Sequence, residues 1–454
     1  MFFVTATPPT AEYVGSYADG PKHKIEIAVN ADGQLVAVID DAQYPLKITG
    51  ADEVTNGGGE KVPFHRGSDG QVDGYTDHGE FHRKLSAQVS PETLAAVNAR
   101  PRPVGEVYSY HPPADRHDGI AVGDIAKTPL GVDTARAIVG AIADGTYRNV
   151  HGVLLYEDGR LVMEEYFYGY DVMRQQQLRS ATKSVVAATA GIAIDRGALT
   201  LDTPVATRLT YKNYDNPDPR KTRITVRDFL TMSSGLDCND HSDTSPGRET
   251  VLDDRPDWVK ATLDLPQIND PGKTGYYCSG GVAVVGRVVE NAVRQYLPDY
   301  AEAHLFRPLG IRRQDWIWNY DLTNNDKEFS QIRLRPRDML KLGILYADGG
   351  TWHGKRIISR AWVEASLKAQ STVDNTGYGY FWWHPWLNVD GKRVDFSAAQ
   401  GNGGQKIYIL PQYHLIAVFT GGDYNSNGAP PNKIMVTLIL PKLIAAYPDA
   451  TAQP

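Results

Sequence analysis

The feature that most constrains this chain is a helix that is apolar almost all round. Residues 178–194 read Leu-Arg-Ser-Ala-Thr-Lys-Ser-Val-Val-Ala-Ala-Thr-Ala-Gly-Ile-Ala-Ile. A surface helix carries a single apolar stripe, whereas a helix with no polar face has to be central and closely packed. Gly197, after Asp195 and Arg196, supplies a left-handed stop. The polar residues gather at the start. Ser180 falls in the first turn and Lys183 follows three residues later, on the same face.

That spacing has a chemical use. A serine hydroxyl is a poor nucleophile until a base takes its proton. A lysine kept from water can be that base, because desolvation disfavours the ammonium; this predicts a Lys183 pKa lowered toward neutrality. The helix start also aims backbone N–H groups at a developing oxyanion. Chance occurrence of Ser-x-x-Lys competes with this reading, leaving Ser180 only a helix cap. Two facts favour the chemistry: no other serine in the chain has lysine at the third following position, and this one opens the most apolar helix.

The 454 residues are too many for one ordinary domain and enough for a large core. A net charge of −7 with no basic block argues against nucleic acid as a partner. Two cysteines, Cys238 and Cys278, exclude a disulfide scaffold and a cysteine-rich metal site. They could pair, but two separate buried thiols are the expectation. No apolar run reaches membrane-spanning length. Residues 1–9 lack a basic start and a full apolar run, so no signal peptide is expected and the cytoplasm is the expected compartment.

Residues 1–100 predict a small all-β domain: an antiparallel sheet or half-open barrel with strands at 24–29, 35–39, 44–46, 61–64 and 80–85, and a turn at Asp32-Gly33. His78 and His82 read as solvated. Residues 101–120, with Pro101, Pro103, Pro112 and Pro113, form a proline-rich linker. Residues 121–454 form a second domain. It predicts a helix at 132–143, a hairpin across Asp158-Gly159, a helix capped by Thr225, helices near 281–295 and 336–348, strands at 378–383, 394–398, 406–410 and 415–420, and a final helix at 433–446. Strands early and late with helices between predict an α+β domain: one sheet built from both ends, with a helical insert. The Asp237–Pro246 stretch reads as a long solvated loop, its aspartates off the calcium-loop spacing. Trp382 and Trp383 could line a pocket, though strand aromatics are more often core.

From about residue 120 onward the chain resembles the penicillin-recognising serine hydrolases. The nearest branch is that of class C β-lactamase-like esterases and 6-aminohexanoate-dimer hydrolases. Ser180-Ala181-Thr182-Lys183 matches the first family motif in full. The resemblance implies that Ser180 is the acylated nucleophile and Lys183 its proton acceptor. Pro271-Gly272-Lys273-Thr274-Gly275-Tyr276-Tyr277-Cys278-Ser279 has the turn and spacing of the second motif. It makes Tyr277, rather than the adjacent Tyr276, the catalytic tyrosine. Ser279 stands where the lactamases carry Asn, which weakens a lactamase reading. The third motif, a basic residue followed by Thr-Gly, is replaced by Gln400-Gly401-Asn402-Gly403-Gly404-Gln405. The glycines remain, but the carboxylate-binding basic residue is absent. By similarity the backbone N–H groups of Ser180 and Asn402 are the oxyanion donors, and Ser279, Gly401 and Gln405 touch substrate. The N-terminal segment is similar to a small lipocalin-like module appended to such hydrolases, with a role in covering the pocket or in assembly.

The resemblance therefore implies a β-lactamase/transpeptidase-like fold with a barrel-like N-terminal domain. It implies a serine hydrolase working without metal or cofactor on a small-molecule ester or amide, with Ser180, Lys183 and Tyr277 catalytic. A carboxylesterase-like activity is expected. An amidase, D-aminopeptidase or 6-aminohexanoate-oligomer hydrolase is the alternative within enzymes, and a catalytically silent ligand-binding module the alternative outside them. No membrane span is expected; a homo-oligomer is possible.

Overall fold

The computed structural model describes residues 10–451 apart from 20–22, 40–41, 58, 78, 212, 254, 319, 321–331 and 427. Residues 1–9, which carry no signal-peptide pattern, and His78 lie outside the described residues.

Eight antiparallel strands close a barrel near the N-terminus: β1 Gly15–Asp19, β2 His23–Val29, β3 Leu35–Ile39, β4 Ala42–Gly50, β5 Glu53–Thr55, β6 Lys61–Arg66, β7 Val72–Asp77 and β8 Glu80–Ser86. The barrel is closed rather than half-open, because β1 pairs with both β2 and β8. Alternation fills it: Val62 and Phe64 point inward along β6 while Lys61, Pro63 and His65 face out. Tyr13, Tyr17, Phe64 and Tyr75 make an aromatic interior. His82 is buried rather than solvated: it stacks on Tyr75, and its Nδ1 lies 2.9 Å from the Ala18 carbonyl. Helix α1, Pro91–Val97, caps the outside of the barrel with Ser90 accepting the Thr93 N–H.

The larger unit has an eight-stranded antiparallel sheet. Its strands are β9 Val150–Glu157, β10 Arg160–Tyr166, β11 Ser371–Val373, β12 Thr376–Tyr378, β13 Trp383–His384, β14 Ser397–Gly401, β15 Gln405–Leu410 and β16 Leu415–Gly421. The spatial order is β10-β9-β16-β15-β14-β13-β12-β11. The C-terminal β16 therefore lies against the N-terminal β9, with Ala417 opposite Leu155. Both faces of the sheet are covered, which explains the continuous apolar runs. Ile416 and Val418 face a core shared with helices α3 (Thr182–Asp195), α4 (Val226–Leu230), α5 (Ser279–Val293) and α6 (Pro336–Ala347). Leu415, Ala417 and Phe419 face the other side, against helix α2 (Gly131–Ala143) and the 430–446 helical segments.

Two strand expectations are corrected. The run 378–383 breaks in the middle, where Phe381 takes φ 54°. Residues 392–395 pair with 386–389 as a separate ribbon rather than joining the main sheet. The helix at α4 does start on a capping box, with Thr225 and Asp228 bonding reciprocally. Among the described residues, no helix is long and apolar enough to cross a membrane.

Candidate active site

Helix α3 is buried from Thr182 through Ala193, as its composition requires. A short 3-10 turn, Arg179–Ala181, leads into it and holds Ser180 at the helix entrance. Ser180 is half-buried, whereas Lys183 is only 1% exposed. The Lys183 Nζ donates to Ser180 Oγ at 2.9 Å and to Ser279 Oγ at 3.0 Å. Ser279 is fully buried at the first position of α5. Tyr277 stands just before that helix, its ring centroid 4.9 Å from Lys183 Nζ. Its phenol interacts electrostatically with Lys183 and lies within reach of Ser180. The neighbouring Tyr276 points elsewhere and meets the Asn269 amide. An alcohol, an amine, a phenol and a second alcohol, from two helix starts far apart in sequence, thus meet at one point.

The electrostatics of this cluster overturn one expectation. Burial alone would lower the Lys183 pKa, but the phenol of Tyr277 and the carboxylates of Glu249 and Asp240 outweigh it, so the ammonium is held above its ordinary range. Burial raises Tyr277 as well, against the pull of Lys183 and the Ser180 hydrogen bond. Burial and Glu249 push the Asp240 carboxyl up to about 7, against Lys183 and the Ser279 N–H. Lys183 and Tyr277 titrate as a coupled pair, each raised from its ordinary value.

The carboxylates come from the 237–246 loop and its continuation, and that loop is not merely solvated. Asp240 Oδ2 accepts the Ser279 N–H at 2.8 Å, and its Oδ1 accepts the Glu249 N–H at 2.8 Å. The Asp240 N–H donates to the Tyr277 carbonyl at 2.8 Å. His241 stacks on Tyr277 with centroids 5.0 Å apart, and its Nδ1 lies 2.5 Å from Asp374 Oδ2. Cys238 and Cys278 are joined in a disulfide, with Cα atoms 5.2 Å apart, instead of standing as separate thiols. Of the two tryptophans, Trp382 is core against Tyr346, while Trp383 stacks on Tyr277 with centroids 5.2 Å apart. Asp240, His241 and Glu249 were missed in the sequence. The available signal was that the two cysteines flank them, one two residues before Asp240 and the other next to Tyr277.

The glycine-rich turn between β14 and β15 lies beside the Arg179–Ala181 turn. A Cβ on Gly401 would fall 2.0 Å from the Leu178 carbonyl oxygen, so only glycine allows this approach. Gly403, at φ +86°, packs under Tyr424. The Asn402 side chain is committed to the turn: Oδ1 accepts the N–H groups of Gly403 and Asn425, and Nδ2 donates to Asn425 Oδ1. Gln405 is fully buried and turned inward, donating to the Gly421 carbonyl and accepting its N–H. Its side chain braces the hairpin instead of facing open space.

The family model named Beta-lactamase matches residues 135–436. A 6-aminohexanoate-dimer hydrolase from Paenarthrobacter ureafaciens is 25% identical over 286 residues, which is 58% of this chain and 70% of that protein. Esterase EstB from Burkholderia gladioli is 29% identical over 201 residues, 42% of this chain and 49% of that protein, so the match spans about half the esterase's length. The unliganded simvastatin synthase from Aspergillus terreus shares the fold, with a TM-score of 0.55 at 15% identity; the match covers 71% of this chain and 100% of that one. With a match across most of its length, this chain belongs to the beta-lactamase family.

Proposed function

We propose that this protein is a serine hydrolase that cleaves an ester or small amide through an acyl-enzyme on Ser180, with carboxylesterase-like activity. The observation that carries the reading is the single cluster of Ser180, Lys183, Tyr277 and Ser279 side chains, held by bonds of 2.9 and 3.0 Å about one ammonium. Relatives that are an esterase and a 6-aminohexanoate-dimer hydrolase support the reaction class.

With Lys183 and Tyr277 both protonated at rest, the reactive form is the one in which the pair has lost one proton. That form accepts the Ser180 proton as Oγ attacks the substrate carbonyl. The backbone N–H groups of Ser180 and Asn402 receive the oxyanion. Tyr277 returns the proton to the leaving group, and water then deacylates the enzyme. Ser279 holds the lysine rather than an amide substrate. Together with the missing basic residue on the glycine-rich turn, this favours esters. The amide alternative draws its support from the dimer-hydrolase relative.

A serine-directed phosphonate is expected to label Ser180, and short-chain p-nitrophenyl esters to be hydrolysed with loss of turnover in Ser180→Ala. Absence of labelling would favour a silent binding module of the same fold. Labelling without ester turnover would favour a strict amidase.

A further inference from the structure

The barrel lies outside the family match, which begins at residue 135, so its role has to be read from its contacts. Two of them lead toward the site, one at Arg179 beside Ser180 and one at Asn425. Tyr44, on β4, takes a hydrogen bond from the Arg179 guanidinium. Arg179 packs against two rings, its Cζ 5.7 Å from the Tyr44 centroid and 5.2 Å from that of Tyr424. The two rings also touch each other, with centroids 5.5 Å apart. Tyr424 in turn packs on Gly403 in the glycine-rich turn. The second contact is Gly57, where a Cβ would lie 3.0 Å from the Asn425 Cβ. Asn425 is doubly hydrogen-bonded to Asn402. The barrel therefore touches Arg179 directly and reaches the Asn402 turn through Tyr424 and Asn425.

Arg179 is also in an unfavourable backbone state. Its φ is 49°, the left-handed region that a side-chain-bearing residue avoids. Such a conformation persists only where its surroundings impose it. The Arg179 torsions orient the peptide that joins it to Ser180, and so aim the Ser180 N–H. Release of Arg179 toward the right-handed region would turn that N–H away from the substrate oxygen.

We infer that the N-terminal barrel is a working part of the site, with Tyr44 a positioning residue that holds Arg179 and thereby the Ser180 N–H. The inference rests on the acyl-enzyme reading above. Substrate does not need to touch Tyr44 for this role. The hydroxyl and the ring act together, so their removal is separable.

The test is the rate of Ser180 labelling by a fluorophosphonate, with kcat and KM for p-nitrophenyl acetate, in full-length wild type, Tyr44→Phe, Tyr44→Ala and Val54→Ala. Val54 is fully buried in the barrel and serves to weaken that unit away from Arg179. Tyr44→Ala is expected to slow labelling and lower kcat by about tenfold with KM little changed, a part of what loss of an oxyanion donor costs. Tyr44→Phe keeps the ring contacts with Arg179 and Tyr424 and is expected to fall between Tyr44→Ala and wild type. Val54→Ala is expected to lower the melting temperature and leave labelling at the wild-type rate. Equal labelling of Tyr44→Ala and wild type would overturn the inference while leaving the hydrolase reading intact. So would equal slowing in Val54→Ala, since the effect would then be general loss of barrel stability. A wild type that no phosphonate labels would overturn the hydrolase reading itself, and the inference with it.

Discussion

The carboxylate of Asp240 accepts the backbone N–H of Ser279 at 2.8 Å, across a sequence separation of 39 residues. That bond closes a bracket around Tyr277. The Asp240 N–H holds the Tyr277 carbonyl, and the disulfide fixes Cys278 between them. The start of α5 is thereby tied to a loop that also carries two carboxylates toward Lys183. Position and charge at the site come from the same contact.

If Lys183 and Tyr277 act as one proton relay, removing either removes most of the relay. Tyr277→Phe and Lys183→Met are each expected to lower kcat/KM by about 10²–10⁴-fold, the range for a general acid–base group. The double variant is expected to be little worse than the single ones, because residues acting as a unit are far from additive. Steady-state kinetics on a p-nitrophenyl ester measures this. Multiplying losses would mean that the two groups serve separate steps.

The resting charge state predicts the pH profile. Both pKa values are raised, Lys183 by surrounding negative charge and Tyr277 by burial, so the form lacking one proton is a minority at neutral pH. The ratio kcat/KM is expected to rise by about tenfold per pH unit below the titration of the pair. A level profile from pH 6 upward would show a lysine already neutral, as its burial alone would make it.

Asp240 predicts a pH dependence of stability. Its folded pKa is pushed up to about 7. Between the unfolded value of about 4 and that value, the native state holds a proton the unfolded chain has released, so stability falls as pH rises and then levels off. Asp240→Asn is expected to remove this dependence, measured by melting temperature against pH. A slope unchanged in the variant would assign it to other groups.

How much of this was legible in the sequence follows from distance along the chain. Ser180 and Lys183 are three residues apart at one helix entrance, and the helix is buried because it has no polar face. Tyr277 was found only through the spacing of the Pro271-Gly272 turn, since no local rule places a phenol beside a lysine 94 positions earlier. The lysine pKa was misjudged because its counter-charges, Asp240 and Glu249, sit on a loop whose composition reads as solvated. Barrel closure was missed because it depends on pairing between β1 and β8, the two ends of the domain. The break at Phe381 and the disulfide were hidden for the same reason: long-range contacts impose both.

The disulfide gives a further prediction. Its cysteines are 40 residues apart, and a cross-link of that span typically contributes about 2–4 kcal/mol. Cys278 lies directly between Tyr277 and Ser279, so reduction is expected to lower both the melting temperature and kcat. Thermal melts and ester kinetics with and without a thiol reductant check this. A lower melting temperature with unchanged kcat would show that Asp240 alone is enough to hold Tyr277.

The central claim is the covalent intermediate. The most direct measurement is the mass of the peptide containing Ser180, quenched in acid during turnover of p-nitrophenyl acetate. The account predicts a peptide heavier by one acetyl group, modified at Ser180, in wild type and absent in Ser180→Ala. Ester turnover with no acylated serine at that position, or with the acyl group on another residue, would contradict it.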